Sequence, residues 1–467
     1  MQLGELIRNT GAEILFGNAE LEISAICSDS RKVVPGALFI AVKGCKLDGR
    51  QFGEQALAAG AIAVASVDRR GLAIIADRFY GHPSGKLKLV GITGTNGKTT
   101  TVTLLYNMFR NLGYECGMLS TIANYVGTKR LETANTTADP ITINSLMNDM
   151  VEAGCEFCFM EVSSIGVEQD RVTGLEFRVG IFSNLTHDHL DYHGTFAEYL
   201  RCKKLFFDNL SASAAAIINT DDRNGLVMVQ NCKSKVVTYS CHSGADHNCR
   251  IIEEGFEGMM LKIDGTEVWT KLVGAHNAYN VLAVYSTAME LGTDKEEALV
   301  AISRLESAPG RLENLRGPRD LSVIIDYAHT PDALENVLKT LRDVAPERKL
   351  ICLFGCGGDR DRTKRPEMAA VAEKFADSVF VTSDNSRTER TEDIIEDIRK
   401  GFTPLGAAKA ISIPDRKEAI RTAILTAPEG ATILLAGKGH ETYQIIGSET
   451  RHFDEREIVN ETFKIIA

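Results

Sequence analysis

At 467 residues the chain has room for about three domains of roughly 150 residues each, and 44% apolar with 25% charged residues is the balance of a soluble globular protein. A net charge of −11 and a pI near 5.5, with no Lys/Arg run, exclude a nucleic-acid binder held by phosphate neutralisation. Eleven cysteines, an odd number, argue against a disulfide scaffold and for a reducing cytosol.

The opening MQLGELIRNTGAEILF has no basic region ahead of an unbroken apolar stretch, so it is not read as a secretory leader. No apolar run reaches bilayer-spanning length, and a cytoplasmic protein without membrane insertion is expected. Leu3, Leu6 and Ile7 predict a short helix, LEISAIC a strand, VVPG a turn and ALFIAV a second strand. DGRQFGEQALAAGA then reads as a helix and AIAVAS as a strand. The Gly/Pro-rich stretch Tyr80–Gly85 closes a first domain, 1–85.

From Lys86, the apolar KLKLVGIT enters a glycine loop, and the helix after it carries Leu104, Leu105, Met108, Phe109 and Leu112 on one face before stopping at Gly113. Strand-like and helical segments alternate to about Leu305, and Ala308-Pro309-Gly310-Arg311 reads as a linker, which sets a middle domain at 86–308. Beyond it SVIIDYA, KLICLFG, SVFVTS and ATILLAG, separated by helical stretches, predict a doubly wound parallel sheet in a third domain, 309–467. The fold class is α/β throughout.

In Gly91-Ile-Thr-Gly94-Thr95-Asn96-Gly97-Lys98-Thr99-Thr100, a strand runs into a helix through a loop whose N–H groups can line an anion site. Lys98 can reach terminal phosphates and Thr99 can ligate Mg²⁺. The strict phosphate-loop pattern puts glycine where Ile92 stands, and a structural glycine turn is the alternative. Next, the apolar strand Phe157–Met160 ends in Glu161, placed to hold a phosphate-bridging Mg²⁺ or simply facing solvent.

His187, Asp188, His189, Asp191 and His193 fall within seven residues. They invite a zinc hydrolase of the HxHxDH type, but Tyr192 breaks that spacing by one residue. Oxygen-rich Mg²⁺ coordination with one imidazole is the better match beside a phosphate loop, and the remaining histidines are expected to cap and hydrogen-bond. Cys155 and Cys158, on an apolar strand without a second pair, read as core, as do Cys352 and Cys356.

GITGTNGKTT, EVSS, SNLTHDHLDYHG, LVGAHNAYN, APGRLE, VIIDYAHTPDALE, FGCGGDRDRTKRP and AGKGHETYQ occur in that order, and together they closely resemble the Mur ligases over nearly the whole chain, from SDSR at 28–31 to FDEREI at 453–458. The resemblance is to the members that add the third amino acid to UDP-N-acetylmuramoyl-L-Ala-D-Glu. It implies a three-domain architecture, with a UDP-binding N-terminal domain, a central phosphate-loop ATPase-like domain and a C-terminal Rossmann-like domain. The implied enzyme is an ATP-dependent acid–amino-acid ligase of peptidoglycan synthesis working through an acyl phosphate, with ATP and Mg²⁺ as cofactors and as a monomer.

By that resemblance Gly94, Thr95, Asn96, Gly97, Lys98, Thr99 and Thr100 bind ATP with Asn277, Arg311 and Asp326, the last on the ribose; Asn280 and His329 lie in matching segments. Thr99, Glu161, His189 and a carbamylated Lys203 hold Mg²⁺, with Lys204 as the other register for the carbamate. Lys98, Glu161, His189 and Lys203 form the implied catalytic set. Ser30, Asn135, Thr136, Thr137, Ser163, Gln169 and Arg171 match the UDP-sugar site.

Arg360, Asp384, Asn385, Ser386, Arg387, Gly437 and Glu441 match the pocket for the incoming amino acid. Relatives using meso-diaminopimelate carry Asp-Asn-Pro-Arg there, and here the arginine is present while Ser386 replaces the proline. A guanidinium facing an absent carboxylate is costly, so meso-diaminopimelate is expected over L-lysine. Ile165 and His187 depart from the usual histidine and arginine. The alternatives are the same ligation with another diamino acid, a folylpolyglutamate synthetase-like ligase, a zinc hydrolase or a nucleotide-binding module without turnover.

Overall fold

The structure, a computed structural model, describes the chain apart from residues 44–47, 134, 187–189 and 243. Among the described residues, three larger sheets and one two-stranded ribbon organise it. The first sheet runs Glu13–Phe16, Ala63–Val67, Ala37–Val42, Ala25–Cys27. LEISAIC forms this sheet only at its end. Its first half pairs with the start of the chain instead, Leu3 N–H donating to Leu21 O and Ile23 N–H to Met1 O, both at 2.9 Å. The helix expected after residue 48 splits into a 3₁₀ turn, Gly49–Phe52, and an α-helix, Gly53–Ala58, because the Asp48 side chain caps the Arg50 N–H and tightens the first turn.

The second sheet has eleven strands. Its centre is parallel, in the order Ala215–Asn219, Phe177–Phe182, Lys88–Thr93, Phe157–Glu161, Cys116–Leu119. Apolar clusters on both faces bury these strands, which explains why they read as unbroken apolar runs. Gly91 leaves room on one face: a Cβ there would stand 2.5 Å from the Phe177 ring and 2.8 Å from that of Phe206. Those two rings meet edge-on at 4.9 Å and seat helix Phe196–Asp208 against the strand. At the sheet's edge, His247–Gly255, Gly258–Ile263 and Thr266–Thr270 add an antiparallel meander.

The third sheet runs Glu313–Arg316, Ser322–Asp326, Thr432–Ala436, Leu350–Phe354, Ser378–Val381, Ala410–Ser412. Five strands are parallel, as the βα rhythm predicts. The edge strand Glu313–Arg316 is antiparallel and makes the sheet mixed. The short return at Gly317–Leu321, with Arg319 and Asp320 at positive φ, can join only antiparallel neighbours.

Candidate active site

The carboxyl ends of the parallel strands converge on the loop after Thr93, where the strand order reverses and ligands of α/β sheets gather. Gly97 sits at φ +87 as the N-cap of helix Lys98–Asn111, with no side chain capping the first turn, so its N–H groups face the loop's concavity. Lys98 Nζ donates to the carbonyls of Gly94 and Thr95, at 2.8 and 2.7 Å. The ammonium is thus held inside the loop that it would serve.

Glu161 is almost fully buried, and its Oε1 accepts from Thr99 Oγ1 at 2.9 Å and from Thr121 N–H at 2.8 Å. Its Oε2 is buried without a hydrogen-bond partner among the described residues. A carboxylate oxygen left in this way beside a threonine hydroxyl is a donor set for a hard cation, so these residues fit Mg²⁺. Arg311 approaches from the linker, its Nη2 3.5 Å from Thr99 Oγ1.

Helix Phe196–Asp208, capped by Thr195, delivers the adjacent lysines to different places. Lys203 is 1% exposed, donates to Gly94 O at 2.8 Å and lies 4.6 Å from the Tyr199 ring centroid. Lys204 pairs with Asp208 at 2.5 Å along the helix. Tyr199 OH and Thr95 Oγ1 are 3.1 Å apart. His193 hydrogen-bonds Ser164 Oγ at 2.9 Å. His187, Asp188 and His189 lie outside the described residues.

A cavity of about 380 Å³ opens between the loop and helix Pro331–Val344, lined among others by Asn96, Gly97, Thr100, Asn277, Asn280, Arg311 and Asp326. Asn277 Oδ1 accepts from Asn280, and Asn280 Oδ1 from Thr101, so both amides are spanned into one network behind the loop. Asp326 accepts from the N–H groups of Leu312 and Ala328, at 2.7 and 2.8 Å. Burial raises its carboxyl pKa, with Arg311 pulling back. His329 is bonded to Tyr327 O at 2.8 Å. Sequence reasoning passed over Asp332, whose Oδ2 accepts from both Asn96 Nδ2 and Thr186 Oγ1 at 3.1 Å and ties that helix to the phosphate loop. A lone acid in a helix's first turn gives no signal for such a role.

The residues matched to the UDP-sugar fall into two places. Thr137 Oγ1 donates to Glu161 O and accepts from Ser163 N–H, and Arg171 donates to Thr137 O at 2.6 Å and to Gln169 Oε1. Ser163 Oγ caps the short helix Ser164–Glu168, and Thr136 Oγ1 accepts from Thr121. Asn135 is exposed, its carbonyl accepting from Thr133. Ser30 belongs to the first sheet's unit and donates to Gln55 Oε1 at 3.0 Å; among the described residues no hydrogen bond joins it to the others.

In the third sheet's loops, Asn385 Nδ2 donates to Glu441 Oε2 at 3.0 Å, and Lys438 Nζ reaches Asn385 Oδ1 at 3.2 Å and Glu441 Oε2 at 3.0 Å. Lys438 is fully buried and 3.6 Å from Asp384. Burial works against the Asp384 carboxylate, but Lys438 and Arg416 outweigh it and hold its pKa below the ordinary value. Lys438 stands inside the GKGHE stretch, yet nothing in the spacing announced it. Gly437 is at φ +115, and a Cβ there would meet Asp384 Oδ2 at 3.1 Å.

Arg387, at φ +50, donates from Nη1 to Gly358 O at 2.9 Å. Its backbone is tied to the ribbon Tyr443–Ile446/Glu449–His452, Arg387 N–H donating to Ile445 O and Gly447 N–H to Arg387 O. Ser386 is buried, so the loop without the proline is fixed by these bonds. Arg360 is exposed near Gly357. Cys155, Cys158, Cys352 and Cys356 are buried core thiols raised by burial, the last two to about 12.

Family models match three stretches: the Mur ligase middle domain over 92–288, the Mur ligase glutamate ligase domain over 310–439 and the Mur ligase family catalytic domain over 22–80. The UDP-N-acetylmuramoyl-L-alanyl-D-glutamate–2,6-diaminopimelate ligase of Cytophaga hutchinsonii is 47% identical over 479 residues, covering 99% of each chain. That of Parabacteroides distasonis is 47% identical over 481 residues, again covering 99% of each. A solved structure of a UDP-N-acetylmuramoyl-L-alanyl-D-glutamate–2,6-diaminopimelate ligase superposes with a TM-score of 0.70 at 32% identity, over 100% of this chain and 99% of that one.

Proposed function

The chain belongs to the Mur ligase family, and from that premise we propose that it joins meso-diaminopimelate to the D-Glu of UDP-N-acetylmuramoyl-L-Ala-D-Glu at the expense of ATP. The observation that carries the reading is the meeting of Thr99, Glu161 with its unpartnered buried oxygen, and Arg311 at the phosphate loop.

A carboxylate is a poor electrophile, so the D-Glu side chain must first be activated. Transfer of the γ-phosphoryl group gives an acyl phosphate and ADP. The amine then attacks the acyl carbon, the amide bond forms, and phosphate leaves as the ammonium proton is lost. Lys98 exchanges the Gly94 and Thr95 carbonyls for phosphate oxygens, while the N–H groups after Gly97 receive the same phosphates. Asn277 and Asp326 hold the nucleoside end.

Thr99, Glu161, His189 and Lys203 would hold Mg²⁺, which when bound neutralises charge on the transferring phosphoryl group. A carbamate on Lys203 turns a cation into an anion able to share that ion. Thr137, Ser163, Gln169 and Arg171, with Asn135 and Thr136, orient the dipeptide-diphosphate end, and Ser30 meets the uridine. Arginine suits a diphosphate because its fork donates two hydrogen bonds.

In the acceptor pocket Arg387 reads the distal carboxylate of diaminopimelate, a group that L-lysine lacks. Asp384, Asn385 and Glu441 face the ammonium end, with Arg360, Ser386 and Gly437 shaping the surround. The described helices include none long and apolar enough to cross a membrane, and ATP with a UDP-sugar points to the cytoplasm.

Transfer of isotope tests the chemistry. With ¹⁸O in the D-Glu γ-carboxylate, the acyl-phosphate route requires one labelled oxygen in the released phosphate. Unlabelled phosphate accompanied by product would exclude activation at that carboxylate.

A further inference from the structure

Arg311 is poorly fixed by hydrogen bonds. Among the described residues its side chain makes a single long hydrogen bond, 3.5 Å to Thr99 Oγ1, and its Nε is buried with no partner. What meets the guanidinium is a ring: its Cζ lies 4.8 Å from the centroid of Tyr327. Tyr327 directly follows Asp326 at the end of strand Ser322–Asp326, so the residue matched to the ribose and the ring beneath the arginine share one strand end.

The ring is itself held on its other sides. The His440 ring is 4.9 Å away and tilted, and His329 is edge-on at 4.7 Å. His440 stays neutral because burial, with Arg311 beside it, lowers its pKa to about 3. It therefore adds no like charge next to the guanidinium. Two glycines permit the approach: a Cβ on Gly310 would stand 2.2 Å from the Gly439 backbone, and one on Gly439 would stand 2.7 Å from Tyr327 Cβ.

We propose that Tyr327 is the positioning residue for Arg311, its ring presenting the guanidinium to Thr99 and the ATP phosphates, with His440 bracing that ring. The inference rests on the reading of Thr99 and Arg311 as phosphate-site residues. It also links the two half-sites, because the loop Gly437–Glu441 carries His440 against Tyr327 and Lys438 and Glu441 against Asn385. A change at the acceptor pocket then reaches the arginine through two packed rings.

The test compares wild type, Tyr327→Phe, Tyr327→Leu, Arg311→Ala and the Arg311→Ala/Tyr327→Leu pair in the full chain. Two readouts are taken: phosphate release, and affinity for a non-hydrolysable ATP analogue with Mg²⁺, which needs no acceptor. Tyr327→Leu should lower kcat by about tenfold and weaken analogue binding by about fivefold, with KM for the UDP-sugar within about twofold. Tyr327→Phe keeps the ring and should recover at least about half of wild-type kcat, and the pair should be no worse than Arg311→Ala alone.

Tyr327→Leu behaving as wild type, or losses that multiply in the pair, would overturn the inference. If Tyr327→Leu does not fold, Tyr327→Met fills similar volume without a π face and carries the same expectation. A wild type that binds the analogue but releases no phosphate overturns the ligase reading, and the analogue affinities still decide the role of Tyr327.

Discussion

Lys203 Nζ donates to the carbonyl of Gly94 at 2.8 Å across a sequence separation of 109 residues, while its neighbour Lys204 turns outward to Asp208. Helical spacing forces that choice, since consecutive residues on a helix lie about 100° apart and cannot share a target. Lys203→Ala should reduce phosphate release by about 10³-fold and Lys204→Ala by less than about twofold. Steady-state kinetics on the two variants decides it. Equal losses would mean that the helix is being read in the wrong register.

Glu161→Gln preserves shape and an acceptor for Thr99 and Thr121 but removes the charge whose second oxygen has no partner among the described residues. The thermal midpoint should stay within a few degrees, because an uncharged amide costs less to bury than an uncompensated carboxylate. Turnover should fall by about 100-fold, with the Mg²⁺ requirement shifted upward. A magnesium titration of both proteins gives the answer.

Arg387→Ala should raise KM for meso-diaminopimelate by about 100-fold through loss of a charge-assisted pair, and leave the weak use of L-lysine nearly unchanged. Competition between the two amino acids measures the ratio directly. An equal effect on both would make Arg387 a loop anchor only, through its bond to Gly358.

Asp332→Ala removes the acceptor shared by Asn96 and Thr186. The helix then loses one bond to the phosphate loop and one to Thr186, each worth about 1 kcal/mol, and KM for ATP should rise by about tenfold. Unchanged ATP dependence would place the contact outside the nucleotide's influence.

Acid stability follows from two histidines. Burial lowers the pKa of His276 from 6.5 to about 4, and that of His440 from 6.5 to about 3. Both are bases whose folded pKa is depressed, so below 6.5 the unfolded chain binds protons that the native chain refuses. Stability is therefore intact above pH 6.5 and falls as pH drops toward 4 and then 3. Thermal midpoints measured from pH 7.5 downward should show this slope, and His276→Phe should flatten its upper part.

Much of this was legible because it is local. The strand–glycine–lysine–helix run reads as a loop leading into a helix N-terminus without reference to the rest of the chain, and Glu161 ends its apolar strand as expected, while its burial was left open by the sequence. Motif order carried the resemblance. What stayed hidden depends on side chains meeting across long separations: Asp332 with Asn96, Tyr327 with Arg311, Lys438 with Asp384. No periodicity encodes such encounters.

The antiparallel meander was missed although it carried a local sign. Asp264-Gly265 joins two of its strands, with φ of +43 and +84, the aspartate–glycine turn that favours hairpins. The antiparallel edge strand Glu313–Arg316 was less readable, since its direction follows from a short return that composition alone does not reveal.

The central claim is tested most directly by phosphate release with ATP, Mg²⁺ and UDP-N-acetylmuramoyl-L-Ala-D-Glu, supplied with either meso-diaminopimelate or L-lysine. Turnover with meso-diaminopimelate, at least about 100-fold above that with L-lysine in kcat/KM, is the predicted result. Preference for L-lysine would contradict the reading of Arg387, and silence with both would contradict the ligase itself.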